Sequence, residues 1–304
     1  MSFKVLKAGI LATLQDFGRF GFADRGLSQS GPADEHAYHW ANHLLSNAFN
    51  ATVVEITLGN IAWQALDDMQ IAICGADCQF TIDGQAIPIW QTVTIKQGQT
   101  LSCKTATSGL RTYVAVKGGF QAECLFGSCS TNLREQIGRA SQIGDILKTS
   151  PIGQTHVIER SVPVFYQPNY QQVLTLRLLP TYQHDQFSQQ QLSTLLEQHY
   201  RIDTASDRVG YRLQGKAIEQ VPARFLSEGM AYGSVEITTA GLPIILLKDR
   251  PTVGGYPKVG TVFSLDLSAL TQRQMATEVR FKLMKLAEAQ SERRQFNRFF
   301  NINY

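Results

Sequence analysis

Short apolar runs rich in β-branched residues recur along the chain at close spacing. In the first half they are residues 52–58, 69–74, 78–82, 92–95 and 112–116. In the second half they are residues 174–179, 209–213, 235–238, 244–247 and 261–265. Gly-Asn, Asp-Asp, Asp-Gly and Gly-Gly pairs lie between these runs, a pattern typical of a β-barrel or β-sandwich. The chain is therefore predicted to be mainly β, with a few helices.

Three segments show helical spacing instead. The first is residues 32–45, where Pro32 is tolerated in a first helical turn and the apolar residues recur on one face. Residues 188–200 show the same spacing, and residues 270–300 are also predicted to be helical.

Prolines and polar residues cluster between the two series of runs, in residues 149–169. A chain of 304 residues is long enough for two cores, because single cores stop growing at roughly 250 to 300 residues. We predict an N-terminal lobe over residues 1–160 and a C-terminal lobe with a terminal helix over residues 161–304.

Composition and charge exclude several classes of protein. Charged residues make up 17% and hydrophobic residues 43%, so the chain can bury a core. The net charge of +3 is small, which argues against a nucleic-acid partner. No apolar stretch reaches the roughly 18 residues of a membrane helix, and the first residues do not form a signal peptide. We expect a cytoplasmic protein with no membrane partner.

The cysteines point in the same direction. There are 5 of them, an odd number, and none forms a Cys-x-x-Cys pair. This pattern indicates neither a disulfide framework nor a zinc site. We predict a reducing cytosol and no bound metal.

A block near the N-terminus, residues 15–34, combines glycines with residues suited to binding a small anion. Glycines let a backbone approach a ligand closely, and arginine offers a planar fork of donors. We expect Arg19 and Asp34 to bind and orient a substrate, with Asp34 among the catalytic residues. Asp16 would steer Arg19, and Ser30 would also line the site. The alternative is a structural turn, in which Asp16 pairs with Arg19 and Ser30 caps the following helix.

A second block, residues 247–258, follows an apolar run. Sites are often assembled on loops at strand ends. Lys258 is predicted to be a catalytic residue that binds a phosphate or carboxylate, and Asp249 to act as a general base if burial raises its pKa. Arg250, Thr252 and Tyr256 are predicted to contact the substrate. The alternative is a Gly-Gly turn between solvated charges.

Residues 128–132 are rich in hydroxyl groups. Ser130 and Thr131 are therefore candidates for holding an anion. Equally, such side chains satisfy the backbone groups of a loop.

Several motifs in these blocks and elsewhere resemble one protein family over nearly the whole chain. They are Gln15-Asp16-x-Gly18-Arg19-x-Gly21, Ser30-Gly31-x-x-Asp34, Ala41-Asn42-x-Leu44-Leu45-x-Asn47, Glu55-Ile56-Thr57-Leu58-Gly59, Gly118-Gly119-Phe120, Gly127-Ser128-x-Ser130-Thr131, Ser206-Asp207-Arg208-x-Gly210-Tyr211-Arg212-Leu213 and Gly254-Gly255-Tyr256-Pro257. The chain resembles allophanate hydrolase subunit 2, also described as the C subunit of 5-oxoprolinase and as the antagonist of the kinase inhibitor KipI. The resemblance implies two cyclophilin-like β-barrel lobes, as in the carboxyltransferase domain of urea carboxylase.

The resemblance also implies a function. The expected activity is that of the C subunit of an ATP-dependent 5-oxoprolinase, a cyclic amide hydrolase active in a hetero-oligomeric complex. Its partners would be a KipI-like B subunit and a LamB/YcsF-type A subunit, and its substrate a small anionic lactam or amide. ATP would serve the complex, but its site is not identified, because the P-loop-like residues 210–216 are followed by Ala217 rather than Ser or Thr.

Two other functions stay open. One is a regulator that binds a KipI-like inhibitor of a sensor kinase. The other is a component of a biotin-dependent carboxyltransferase resembling urea carboxylase.

Two positions depart from the family pattern. Cys129 stands where the family usually has the arginine of Gly-Ser-Arg-Ser-Thr, and Pro251 stands where it usually has the glutamine of Asp-x-Gln-Thr-x-Gly-Gly. If the arginine and glutamine bind substrate in relatives, we expect a different substrate or a weaker activity here.

Overall fold

The computed structural model describes residues 1–150, 159–219 and 226–303, and their main chain forms two compact units. The first unit consists of Met1–Arg19 and Ser30–Gln171, and the second of Phe20–Gln29 and Gln172–Tyr304. Strands dominate both units, so the predicted mainly β class is confirmed. Among the described residues, no helix combines the length and apolarity needed to span a bilayer.

The first unit is built from two antiparallel sheets and one α-helix. Its strands are β1 Ser2–Ala8, β2 Leu11–Gln15, β3 Val53–Thr57, β4 Ile61–Ala65, β5 Met69–Asp77, β6 Thr81–Ile82, β7 Gln85–Ala86, β8 Gln91–Ile95, β9 Thr100–Ser102, β10 Ser108–Val116 and β11 Ile146–Lys148, and its helix is α1 Glu35–Leu44. One sheet has the order β11-β1-β4-β9-β6-β7, and the other has the order β2-β3-β10-β5-β8.

The core of the first unit is made by inward-facing residues of both sheets, including Phe3, Trp63, Ile71 and Val114. In β1 the buried Phe3 alternates with the exposed Lys4, as expected for a strand with one face in water. The central strands β5 and β10 are buried almost throughout, because α1 packs against both of them.

The second unit is a closed seven-stranded barrel with helices around it. Its strands are β12 Leu174–Pro180, β13 Tyr200–Ile202, β14 Gly210–Gln214, β15 Glu228–Gly229, β16 Ser234–Ile237, β17 Pro243–Leu246, β18 Val253–Gly254, β19 Lys258–Val262 and β20 Glu278–Leu283, and its helices are α2 Gln189–Leu196, α3 Ser264–Leu270 and α4 Leu286–Phe299. The barrel order is β12-β19-β16-β17-β14-β13-β20, and the parallel pairing of β20 with β12 closes the ring. β15 and β18 form a separate two-stranded sheet. The interior is filled by Leu176, Tyr200, Tyr211, Val235 and Phe281.

The structure corrects part of the helix prediction. The first two helices exist but are shorter than predicted, as α1 and α2. The single helix predicted over residues 270–300 is wrong, because α3 ends at Leu270 and β20 precedes α4. In β20 the buried Val279 and Phe281 alternate with Arg280 and Lys282, which is the period of a strand.

Two predicted strands also differ. In the run at residues 78–82 only Thr81–Ile82 is strand. The run at residues 261–265 is divided, since β19 ends at Val262 and α3 begins at Ser264.

Candidate functional site

The carboxylate of Asp16 lies at the centre of a buried hydrogen-bond cluster in the first unit. Its Oδ1 accepts from the hydroxyls of Ser128 and Ser130, each at 2.6 Å, and from the N–H of Gly18 at 3.0 Å. Its Oδ2 accepts from the N–H of Cys129 at 2.7 Å. Four donors thus hold one carboxylate, which ties the end of β2 to a loop more than a hundred residues later in the chain.

Arg19 is 2% exposed and braces the same loop. Its Nε donates to the carbonyl of Leu125 and its Nη2 to the carbonyl of Ser130, both at 3.3 Å. We name Asp16, Arg19, Ser128, Cys129 and Ser130 the Asp16 cluster. The predicted residues Asp16, Arg19 and Ser130 are therefore brought together.

Ser30 and Thr131 lie in the loops beside this cluster. Ser30 has a left-handed φ of 56°, and its Oγ accepts from the Nδ2 of Asn132 at 3.0 Å. Thr131 donates its N–H to the carbonyl of Leu14, and its own carbonyl accepts from the Nε2 of Gln15.

Asp34, and not Ser30, caps α1. Its Oδ1 accepts from the N–H of Ala37 at 3.1 Å, as an N-cap side chain does. The proposed Ser30 cap is wrong because the helix begins three residues later than predicted, at Glu35. Asp34 also donates its own N–H to the hydroxyl of Tyr113 at 2.7 Å. That hydroxyl in turn donates to Glu55, a buried carboxylate that the sequence reasoning did not select for the site.

In the second unit, Asp249 is 5% exposed and its two carboxylate oxygens are engaged by Arg208. Arg208 Nε donates to Oδ2 at 2.8 Å and Nη2 donates to Oδ1 at 3.1 Å. Such paired contacts are among the strongest that a carboxylate makes in proteins. Arg208 was not chosen as a site residue, although it belongs to the Asp-Arg-x-Gly-Tyr-Arg motif.

Arg250 and Thr252 shape the loop that follows Asp249. Arg250 Nε donates to the carbonyl of Met230 at 2.9 Å, and burial lowers the pKa of its guanidinium. The carbonyl of Thr252 accepts from the N–H of Met230. Ser28, from the end of the first sequence block, donates its Oγ to the carbonyl of Arg250 at 2.8 Å.

Lys258 is 7% exposed and forms an ion pair with Glu228, with Nζ 2.6 Å from Oε1. Gln183 Nε2 donates to the same Oε1 at 2.7 Å, and the hydroxyl of Tyr182 donates to Oε2. The hydrogen bond from Lys258 is the main cause that holds the pKa of the Glu228 carboxyl below its ordinary value. Gln183 also accepts from the N–H of Lys258 at 2.7 Å, so it positions both charged residues.

A second carboxyl, Glu236, lies next to this ion pair. It is 6% exposed, and its Oε1 has no hydrogen-bond partner among the described residues. Burial raises the pKa of Glu236, against the opposing effects of the Tyr256 N–H and the Lys258 charge. A Cβ at Gly254 would lie 2.8 Å from this Oε1, which explains one glycine of the Gly-Gly-Tyr motif. We name Lys258, Tyr182, Gln183, Glu228 and Glu236 the Lys258 cluster.

Most of the Lys258 cluster was missed from the sequence. None of the family motifs in the sequence includes its other members, Tyr182, Gln183, Glu228 and Glu236. A buried acidic residue in the strand Ser234–Ile237 was the only available signal, because a charge in an apolar strand needs a partner.

The disulfide prediction also needs correction. Cys124 and Cys129 form a disulfide, with their Cα atoms 4.0 Å apart. Cys74, Cys78 and Cys103 are buried free thiols. An odd number of cysteines excludes complete pairing, but it does not exclude one pair.

The described residues contain no group of three or more His, Cys, Asp or Glu side chains that could hold a metal ion. The P-loop-like residues 210–216 begin with the barrel strand β14, as the sequence reasoning expected. The structure therefore gives that stretch the role of a wall of the barrel.

The mainly β fold, with its closed seven-stranded barrel, is of the carboxyltransferase type. The chain matches the model of the carboxyltransferase domain, subdomain A and B, over residues 25–283, and it belongs to this family.

Individual relatives show which members of this family the chain resembles. The chain is 34% identical to the C subunit of 5-oxoprolinase from Haemophilus influenzae, over 93% of this chain and 92% of the relative. It is 33% identical to the C subunit of 5-oxoprolinase from Escherichia coli strain K12, over 98% of this chain and 96% of the relative. A putative urea carboxylase from Emericella nidulans is 29% identical over 98% of this chain, which spans 25% of that relative.

Solved structures agree on the fold. The protein TTHA0988 superposes with a TM-score of 0.85 at 31% identity over 92% of this chain, which spans 55% of that longer chain. The urea amidolyase of K. lactis superposes with a TM-score of 0.89 at 22% identity over 98% of this chain, which spans 20% of that protein.

Proposed function

We propose that this chain is the C subunit of an ATP-dependent 5-oxoprolinase, which opens 5-oxoproline to glutamate. One observation carries the proposal: two relatives named as the C subunit of 5-oxoprolinase align at 33% and 34% identity over nearly their whole length. The partners are a KipI-like B subunit and a LamB/YcsF-type A subunit, in a cytoplasmic complex. ATP is consumed by the complex, and we assign no ATP site and no metal to this chain.

The chemistry of the substrate fits the Lys258 cluster. Opening an unstrained lactam needs activation, for which phosphorylation of the amide oxygen is the simplest route. Both the substrate carboxylate and such an intermediate are anionic. Lys258 supplies a cation, and its partner Glu228 is partly exposed, so an anion can replace that partner at the ammonium.

Asp249, Arg250, Thr252 and Tyr256 complete the proposed substrate site of the second unit. Asp249 is the proposed base, and Arg208 orients it through two hydrogen bonds. Glu236 is a second candidate for proton transfer, since its buried carboxyl lies beside Lys258 and its pKa is raised by burial.

The residues of the first block are proposed to hold and orient the substrate through their loop. Asp16, Arg19 and Ser130 fix the positions of the loop carbonyls and amides, while Ser30, Thr131 and Asp34 complete the surrounding framework. Their geometry supports a positioning role more strongly than direct proton transfer, because their polar atoms bond to the protein itself.

The proposal is tested by reconstitution. The purified KipI-like and LamB/YcsF-type proteins are mixed with this chain, and ADP and glutamate are measured with and without 5-oxoproline. We expect 5-oxoproline-dependent release of both products only when all three chains are present. Turnover that is equally fast without this chain, or absent with it, would overturn the proposal.

Two alternatives predict different outcomes of the same experiment. A regulator of a kinase inhibitor would bind the KipI-like protein without turnover. A biotin-dependent carboxyltransferase is supported by the family model and by the urea carboxylase relatives, of which this chain spans only about a quarter. It requires binding of biotin or a biotinylated carrier, which titration at millimolar concentration would detect.

A further inference from the structure

The loop that carries the Asp16 cluster contains a tight hairpin. Leu125 and Ser128 exchange two backbone hydrogen bonds, with N···O distances of 2.9 and 3.3 Å. Between them, Phe126 and Gly127 have φ values of 54° and 74°. Two central residues with positive φ are the mark of a type I′ turn, which is the favoured turn of two-residue hairpins.

Cys124 and Cys129 occupy the next pair of positions in this hairpin. Because Leu125 and Ser128 form a hydrogen-bonded pair, the pair beyond them is a non-hydrogen-bonded one, where opposite Cα atoms come closest. The Cα atoms of the two cysteines are 4.0 Å apart. The turn itself therefore brings the two cysteines close enough for their sulfur atoms to bond.

The hairpin is bonded to the Asp16 cluster on both sides of the disulfide. Arg19 donates to the carbonyls of Leu125 and Ser130, and Cys129 donates its N–H to Asp16. Any change in the order of this hairpin reaches Asp16 and Arg19 through these contacts.

The pair is also accessible to a redox partner. Cys124 is exposed and Cys129 is half-buried, whereas the three free thiols are buried. A disulfide that closes so short a loop and has an exposed sulfur can undergo thiol–disulfide exchange with small thiols and disulfides.

We propose that Cys124 and Cys129 form a reversible disulfide, which switches the hairpin and the attached Asp16 cluster between a fixed oxidised state and a looser reduced state.

The oxidant is a small disulfide of the glutathione type. The Cys124 thiolate attacks one sulfur of that disulfide, forms a mixed disulfide and releases one thiolate. The Cys129 thiolate then attacks the Cys124 sulfur and releases the second. The two cysteines lose two protons and two electrons, and the small disulfide becomes two thiols. Reduction by a small thiol reverses both steps: a first small thiolate attacks the exposed Cys124 sulfur and releases the Cys129 thiolate, and a second attacks the small-thiol sulfur of the mixed disulfide and releases the Cys124 thiolate.

The test uses the purified full chain in buffers of varied ratio of reduced to oxidised glutathione. Thiols are trapped by alkylation and located by mass spectrometry. We expect one two-electron transition, in which the peptide that contains Cys124 and Cys129 changes from a form with two alkyl groups to an unalkylated form that is two hydrogen atoms lighter than the dithiol. A disulfide between two chains, pairing with a buried cysteine, or no oxidation at any ratio would overturn the proposal.

Hydrogen exchange measures the effect on the cluster. In the reduced protein, amides of residues 15–19 and 124–130 should exchange at least about fivefold faster than in the oxidised protein, since local opening becomes easier. Strand β12 of the other unit should not change. Cys124→Ser removes an exposed sulfur with little risk to folding, and it should match the reduced protein in every buffer. Equal exchange in the two redox states would exclude the switch even if the disulfide forms.

Discussion

The Asp16 cluster and the Lys258 cluster both bury charge, but they satisfy it differently. Asp16 receives four hydrogen bonds from hydroxyls and backbone amides of its own unit. Lys258 instead faces two carboxyls, of which Glu228 is partly exposed and Glu236 has an oxygen without a hydrogen-bond partner in the described parts of the chain. A fully satisfied carboxylate fixes a loop, whereas a charge with an exchangeable partner can accept a ligand. From this comparison we propose a structural role for the Asp16 cluster and a chemical role for the Lys258 cluster.

The sharpest test removes the cation of the second cluster. Lys258→Met should lower 5-oxoproline-dependent turnover of the reconstituted complex roughly a thousandfold, as expected when a preorganised charge is lost from a site. Lys282→Met, on the exposed face of β20, is the matched control and should keep nearly full turnover. If both variants turn over alike, the comparison assigns chemistry to the wrong cluster.

Removing the carboxylate of the first cluster should act on stability. Asp16→Ala leaves the buried hydroxyls of Ser128 and Ser130 and the N–H of the half-buried Cys129 without their acceptor, and should lower the free energy of unfolding by about 3 kcal/mol. Denaturant titration gives that value. Glu123→Ala, an exposed carboxylate near the same hairpin, should change it by less than about 0.5 kcal/mol. An Asp16→Ala protein that keeps its stability but lacks turnover would instead show that Asp16 acts on turnover and not on the stability of the fold.

Substitution of two glycines near the Asp16 cluster distinguishes the cost of backbone strain from the cost of a steric clash. Gly31 has a φ of 91°, and a Cβ there would lie 2.7 Å from the carbonyl oxygen of Phe17. Gly127 has a φ of 74°, but a Cβ there would meet no atom of the described residues within 4 Å. Gly31→Ala should cost about 2 kcal/mol or more and Gly127→Ala about 1 kcal/mol. Thermal unfolding of both variants compares them, and equal costs would show that the Phe17 carbonyl moves aside freely.

The smallest expected effect is the pH dependence of folding stability that Glu236, in the Lys258 cluster, causes. Burial raises the pKa of Glu236 above its ordinary value of 4.5. The folded state therefore binds this proton more tightly than the unfolded chain, so ionisation costs stability as the pH rises from 4.5 through the raised pKa. Glu236→Gln stays neutral, and its stability relative to the native protein should increase by about 1 kcal/mol between about pH 4 and pH 7.

Glu228 should make folding stability depend on pH in the opposite direction. Its pKa is lowered by Lys258, so its ion pair stabilises the fold above 4.5 and this contribution is lost as the pH falls through the lowered pKa. Glu228→Gln should therefore lose stability relative to the native protein at neutral pH and recover it in acid. Chemical denaturation across the same pH series measures both variants, and the same sign for both would contradict the geometry of the cluster.

Local pattern was sufficient for the family and for part of the strands, while β1, β2 and β4 coincide with none of the predicted runs. Alternating burial in short runs located most barrel strands, and the quoted motifs identified the relatives. It failed for β20, because its strand-like alternation covers only Val279 and Phe281 and was merged with the helical spacing of the residues that follow it in α4. It also failed for the neighbours of Lys258. Gln183 and Glu228 are 75 and 30 residues away in sequence and reach it through the pairing of β12 with β19 and of β15 with β18.

Barrel closure also has a consequence for synthesis. β12 and β20 are neighbours in the ring, yet about a hundred residues separate them along the chain. Once β19 has paired with β12, and before β20 emerges from the ribosome, β12 still has no partner on one side and β13 lacks its second neighbour. These two strand edges stay open for pairing with other nascent chains until residues 278–283 emerge. A chaperone is thus most needed during the last part of translation. A slow folding step that depends on chain concentration is expected at the same stage.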